Sequence, residues 1–427
     1  MRKKNDGMFY GWVLLAVISL CYFLGVGLCM YGLSVVLPLM IEEFGWSRGQ
    51  ASVGFSLLLL VWGVSAPLVS IFIRRFSTRK TYLTGGILIV CGALLIYQTS
   101  SLYIFYLGTG FFIAIGLSMT SVLPGSNLLV TWFVQRRALA MGLFMANGGL
   151  GGFVASPMVA ALVEQTGNWR IVWLLMAVCG LLVGLLGFWA IRERPEEIGQ
   201  HPDGVKNPAE AHVTATSTNA VFKTSENWTL REALRTRFFW LTVLVACAAT
   251  TASATINAHL ILHLSDIGVS SLVAASSLGM VAILNSTGRI LSGGIGDRID
   301  PRWILAAGMV FQAIGFLLLN FATSQPLVYL FTVLFGMGIG VYLIALTALT
   351  ANYFGALNFS AIAAIQALSY TLVAASGPIA AGAIFDRTGS YQTVFISLAA
   401  LTALCALCVG WMKPPVRSTP SIEAAGN

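Results

Sequence analysis

The chain has 427 residues, 57% hydrophobic and only 9% charged, with a net charge of +8. Soluble domains carry about 25% charged residues, so the composition excludes an ordinary soluble domain and requires a membrane-embedded chain. The positive balance does not point to nucleic acid, because the basic residues sit in short breaks between apolar runs and no basic face interleaves with aromatics.

Met1-Arg-Lys-Lys leads into an apolar stretch too long for the core of a cleaved leader, so it reads as a retained first span. A helical span needs about 20 mostly apolar residues. Twelve such runs are legible, at approximately 11–40, 48–73, 81–98, 102–130, 137–163, 169–191, 237–262, 271–295, 303–322, 326–350, 359–384 and 391–412. From Arg192 to Asn227 the character changes to charge, Pro, Gly and small polar residues, as in a linker. Thr229-Leu-Arg-Glu232 is a capping-box pattern opening a short interfacial helix that ends near Arg237. The predicted class is an all-α membrane protein with two six-helix bundles. The first covers 1–192, a cytoplasmic linker 193–228, the second bundle 229–412 and a tail 413–427.

Basic residues fix an orientation. Arg2, Lys3, Lys4, Arg74, Arg75, Arg79, Lys80, Arg136, Arg137, those of the linker, Arg298, Arg302, Lys413 and Arg417 fall on one side. Arg48, Arg170 and Arg387 fall on the other. This asymmetry predicts both termini in the cytoplasm of a cell (inner) membrane. The halves repeat: Arg75, Arg79 and Gly85 recur as Arg298, Arg302 and Gly308 at one offset, and Thr166-Gly167-x-Trp169 recurs as Thr388-Gly389-x-Tyr391. Parallel six-span halves rocking around a midplane site are a transporter architecture.

None of the 16 acids lies mid-span, whereas Arg289 lies within the eighth run. Its repeat position in the second run is Ala66, so the fold does not demand a cation there. A cation in hydrocarbon needs a reason, and a guanidinium fork suits a carboxylate. Helical spacing places Asn285, Ser286, Arg289, Ser292 and Gly293 on one side of that helix. The competing reading is a structural arginine satisfied by carbonyls or snorkelling to the interface. Tyr31, Asn127, Asn147, Tyr342, Gln366 and Tyr370 are further candidates to line a cavity, or polar residues tying helices together. His259 and His263 share a helix face but lack a third ligand, so they read as interfacial, with Asp266 in reach of one. No cofactor or metal site is indicated.

The turn Gly293-Gly-Ile-Gly-Asp297-Arg298-Ile-Asp-Pro-Arg302 resembles the loop signature of the major facilitator superfamily; its counterpart has Arg74 where that family usually has Asp. Asp6-Gly7-Met-Phe-Tyr-Gly11-Trp12 and Trp132-Phe-Val-Gln-Arg136-Arg137-Ala-Leu-Ala-Met-Gly142 through Gly148 resemble the signatures of its monocarboxylate and oxalate/formate branch. The resemblance implies that Asp297, Arg298 and Arg302, with Arg136 and Arg137, act in gating on the cytoplasmic side. It also implies that Arg289 meets substrate. Monocarboxylate transporters usually carry a proton-coupling Asp where this chain has Asn285, and a span-one lysine where it has Met30-Tyr31. The expectation is therefore a monomeric secondary transporter, not an enzyme, that moves a small monocarboxylate, with a proton or counter-anion as coupling partner and the lipid bilayer around it. The alternatives are an exporter or antiporter of hydrophobic, drug-like compounds, and a non-transporting membrane sensor.

Overall fold

The computed structural model describes residues 9–134, 136–204, 222, 224, 226, 228–295, 299–322, 324–355 and 358–415, with Arg137, Ala138 and Ser360 placed by their backbone alone. Every regular element among them is helical. Eleven helices are long and apolar enough to cross a membrane, and a bent pair makes the twelfth span. We number the spans in chain order. Spans 1–6 are Tyr10–Phe44, Arg48–Val64 with Ala66–Phe76, Thr78–Tyr97, Leu102–Trp132, Arg137–Thr166 and Arg170–Ala190. Spans 7–12 are Arg237–Asp266, Ser271–Ile295, Pro301–Asn320, Gln325–Phe354, Phe359–Ala374 with Ser376–Thr388, and Gln392–Gly410. The helix after Thr229 does carry both bonds of a capping box, but it ends at Leu234.

The breaks in these helices have local causes. Span 2 bends by 49° at Ser65. Pro67 there has no N–H to give, and the Ser65 hydroxyl donates to the Trp62 carbonyl at 3.2 Å. Span 1 contains a widened π-type turn over Gly27–Gly32, which carries Tyr31. Such turns shift the helical register and concentrate at functional sites.

The internal repeat is visible as matched packing. Span 3 lies on span 6 as span 9 lies on span 12. Arg79 Nε donates to the Phe188 carbonyl at 2.9 Å, and Arg302 Nη1 donates to the Met412 carbonyl at 2.7 Å. Each arginine thus ties its own half together. The Thr-Gly-x-aromatic repeat is a helix stop: Gly167 and Gly389 sit at φ 62° and 69°, a left-handed conformation that glycine adopts without Cβ strain.

The halves meet along span 5 against span 8 and span 2 against span 11. Gly149 has no room for a Cβ beside the Ser286 hydroxyl and Ala282 carbonyl, and a Cβ on Gly279 would lie 3.0 Å from the Phe153 carbonyl. Toward the linker the helices part. Cβ atoms added at Gly142, Gly293 and Gly294 would meet nothing within 4 Å. The bundle is closed on the far side and open on the linker side. Both ends of the linker are fastened. The Asp203 carboxylate accepts from Val134 N–H at 2.9 Å, while Thr224 N–H and Trp228 N–H donate to Asn352 and Phe354 carbonyls at 2.8 and 3.1 Å.

Candidate substrate cavity between the two bundles

A cavity of about 540 Å³ lies between the halves. Arg289 is the one charged side chain lining it among the described residues, and its neighbours include Asn285, Tyr31, Tyr342 and Tyr370. Span 8 presents Arg289 and Asn285 one turn apart, and Arg289 Nε donates to Asn285 Oδ1 at 3.0 Å. That bond fixes the guanidinium plane and leaves the two terminal nitrogens as a fork. The remaining wall is largely apolar, with Met30, Met145, Leu59 and Ile339 among its members.

Other expected residues lie elsewhere. Gln366 is buried, donates to Thr242 Oγ1 at 2.8 Å and accepts from Thr350 Oγ1 at 3.1 Å. It fastens span 11 to spans 7 and 10 instead of facing the cavity. Asn127 is exposed on span 4, and the Asn147 amide donates to the Leu143 carbonyl of its own helix at 2.8 Å; neither lines the cavity. The polar stripe on span 8 also divides. Ser286 lines the cavity and also reaches the Ala146 carbonyl of span 5 at 3.3 Å, whereas Ser292 is buried near the Val341 carbonyl of span 10 and Gly293 faces open space. Spacing gives the side of a helix, but neighbouring helices decide what that side meets.

Among the expected gating residues, Asp297 and Arg298 lie outside the described residues, as does the side chain of Arg137. Arg136 offers its backbone N–H to Asp203 at 3.4 Å. Arg302 holds Asp300 at 2.7 Å within the second half. Far-side histidines also differ from expectation. His259 is fully buried, and Asp266 pairs with Arg48 at 2.6 Å rather than with a histidine.

Tyr22, Trp62 and Asn257 are among the cavity residues not anticipated from sequence. Trp62 Nε1 donates to Ser121 Oγ at 3.1 Å. The Asn257 amide donates to the Ser253 carbonyl at 2.8 Å, while its Oδ1 is buried without a partner. The signal for Asn257 is the run of small polar residues from Thr250 to Asn257 inside an apolar span. Tyr22 and Trp62 carry no comparable signal, because aromatics in apolar runs are ordinary lipid- and core-facing residues.

Two helical bundles around a shared central cavity, opened on one side, define a secondary transporter. The family model described as Major Facilitator Superfamily matches residues 15–301 and 266–426, and the chain belongs to that family. Monocarboxylate transporter 12 of Mus musculus is 23% identical over 423 residues, covering 95% of this chain and 85% of its own. Monocarboxylate transporter 4 of Gallus gallus is 24% identical over 401 residues, covering 92% and 80%. The chain is a multi-pass membrane protein of the monocarboxylate transporter-like branch. A bacterial homolog of the human lysosomal transporter Spinster, solved inward-facing and occupied, superposes with a TM-score of 0.68 at 16% identity, covering 95% of this chain and 94% of that one. That likeness shows the fold alone.

Proposed function

We propose that the protein carries small monocarboxylate anions across a cell membrane by alternating access, with Arg289 binding the carboxylate. The observation that carries this reading is the geometry of Arg289: a lone cavity cation, held at Nε by Asn285, with its fork unspent. A carboxylate can take both terminal nitrogens at once. The names of the relatives support the same cargo class. A single cation favours one carboxylate over two, and the tyrosine hydroxyls supply neutral bonds to the rest of the cargo. The proposal takes the linker side as cytoplasmic, on the placement of basic residues, so the structure is the inward-open state.

Asn285 hydrogen-bonds but cannot exchange a proton. Coupling through that position is replaced here by a counter-anion or by a proton that the cargo itself carries. The apolar wall favours a second reading, export of hydrophobic compounds, in which Arg289 has no part. Reconstituted wild type, Arg289→Lys and Arg289→Ala separate them through uptake of labelled short-chain carboxylates. Charge-assisted hydrogen bonds contribute about 1.5–3 kcal/mol, so the alanine variant should lose about ten- to a hundredfold in carboxylate affinity, and lysine should retain part of it. Undiminished uptake by Arg289→Ala overturns the carboxylate assignment.

A further inference from the structure

On the side away from the linker, one residue of the first half holds two acids of the second. The Arg48 guanidinium grips Asp266 through both oxygens, at 2.6 Å each. The backbone N–H groups of Arg48 and Gly49, at the start of span 2, donate to the Asp386 carboxylate at 3.0 and 2.8 Å. Asp386, from span 11, therefore caps a helix of the other bundle. The guanidinium also lies 3.8 Å above the Phe385 ring. An added Cβ at Gly382 would lie 2.8 Å from the Arg48 carbonyl, so the backbones touch as well. This cluster is the far-side seal.

A hydrogen-bonded relay runs from the seal to a histidine inside the protein. Arg48 Nη1 donates to Tyr391 Oη at 3.2 Å, and Tyr391 Oη lies 2.8 Å from His259 Nδ1. His259 Nε2 lies 2.8 Å from the Pro378 carbonyl and 3.1 Å from Ser52 Oγ. Directions follow from chemistry. A carbonyl only accepts, so Nε2 carries the ring proton. In the neutral ring Nδ1 is then an acceptor, and the Tyr391 hydroxyl donates to it. Ser52 donates to the Arg48 carbonyl at 2.6 Å, leaving its oxygen able to accept. The Tyr391 hydroxyl has an acceptor for its hydrogen at His259 only while the ring is neutral.

We propose that His259 is a proton-binding site of the far-side seal, and that protonating it releases the two bundles from each other. A proton on Nδ1 turns that atom from acceptor to donor, and the Tyr391 hydroxyl loses the acceptor for its hydrogen. Two cations, Arg48 and the imidazolium, then share one hydroxyl oxygen. The ring is fully buried, so no water relieves the conflict. Parting the bundles hydrates both charges. The other titratable groups around the ring are Asp266 and His263 on its own helix, Arg48 on span 2, Asp386 on span 11 and Tyr391 at the start of span 12. Both acids are already taken up by span 2. His263 stands beside Tyr391 and Phe395, its Nε2 3.4 Å from the Leu319 carbonyl, off the relay.

The sign follows from linkage. The closed seal excludes the charged ring, so the closed form is favoured above the ordinary histidine value near 6.5 and loses ground as pH falls below it. For one proton the shift reaches about tenfold in the open-to-closed ratio per pH unit. The inference is independent of the cargo, because it concerns the seal and not Arg289.

The test uses full-length protein in lipid nanodiscs, with native cysteines replaced and spin labels on the far-side loops at Ser100 and Ser324. Distance distributions are read from about pH 8 to pH 5. A longer-distance population should grow with acid in wild type and in His263→Gln, and stay constant in His259→Gln. A flat wild-type response overturns the proposal. So does an acid response that survives in His259→Gln or disappears in His263→Gln. The wild-type and His263→Gln arms stand even where His259→Gln is too unstable to purify.

Discussion

Asn285 shows how one amide sets the behaviour of its neighbour. It holds Arg289 through a single neutral bond, so the guanidinium is oriented without being neutralised. Asn285→Asp converts that bond into an ion pair that competes with an incoming anion. Carboxylate affinity at about pH 7.5 should fall about tenfold or more, and recover in acid as the new carboxyl is protonated; binding titrations against pH check this. Gln366 is the contrasting case. Its amide is spent on two threonines, so Gln366→Ala should cost about 1–3 kcal/mol of stability while leaving carboxylate affinity unchanged, as read by thermal unfolding and binding together. Asp300 carries a stability effect outside the bilayer. Partial burial works against its charge, but hydrogen bonds from Arg302 outweigh that and hold its carboxyl below the ordinary 3.8. A lowered value contributes stability that is present above 3.8 and lost as pH falls through the folded value. Unfolding midpoints should show an acid limb below about pH 4, which Asp300→Asn flattens.

At the scale of helices, small residues decide where the bundles touch. Gly149 sits where span 5 presses on span 8, and Gly142, two turns nearer the linker, faces empty space. Gly149→Val overpacks that contact and should cost about 1–3 kcal/mol. Gly142→Val should leave the unfolding midpoint unchanged within about 0.5 kcal/mol, yet slow transport, because alternating access requires the linker side to close in turn. Parallel thermal and uptake measurements separate the two effects. The same scale explains what sequence shows. Span limits were legible because hydropathy and charge mark where a chain enters and leaves hydrocarbon. The Thr-Gly-x-aromatic motif was legible as a repeat, and the structure shows that it ends helices through left-handed Gly167 and Gly389. The direction of Asn127, Asn147 and Gln366 was not, because it depends on which helix lies alongside. Arg289 stood out because its cost in hydrocarbon does not depend on its neighbours.

In the whole molecule the two ends of the bundle are built differently. The far side is joined by charge and hydrogen bonds across the halves, centred on Arg48, Asp266 and Asp386. That cluster brings together residues more than 200 positions apart, whereas sequence spacing shows Asp266 only in reach of a histidine on its own helix. The linker side has no such joint among the described residues, and the linker itself spans it. Asp203 holds the first bundle, and Thr224 and Trp228 hold the second. Each bundle therefore carries one anchored end of a tether. The twenty residues between Asp203 and Thr224 can reach no more than about 70 Å when drawn out, which bounds how far the two anchored ends can part. Removing a few residues from their middle should cost nothing, whereas removing nearly all of them should stall the rocking motion at the point where the slack runs out.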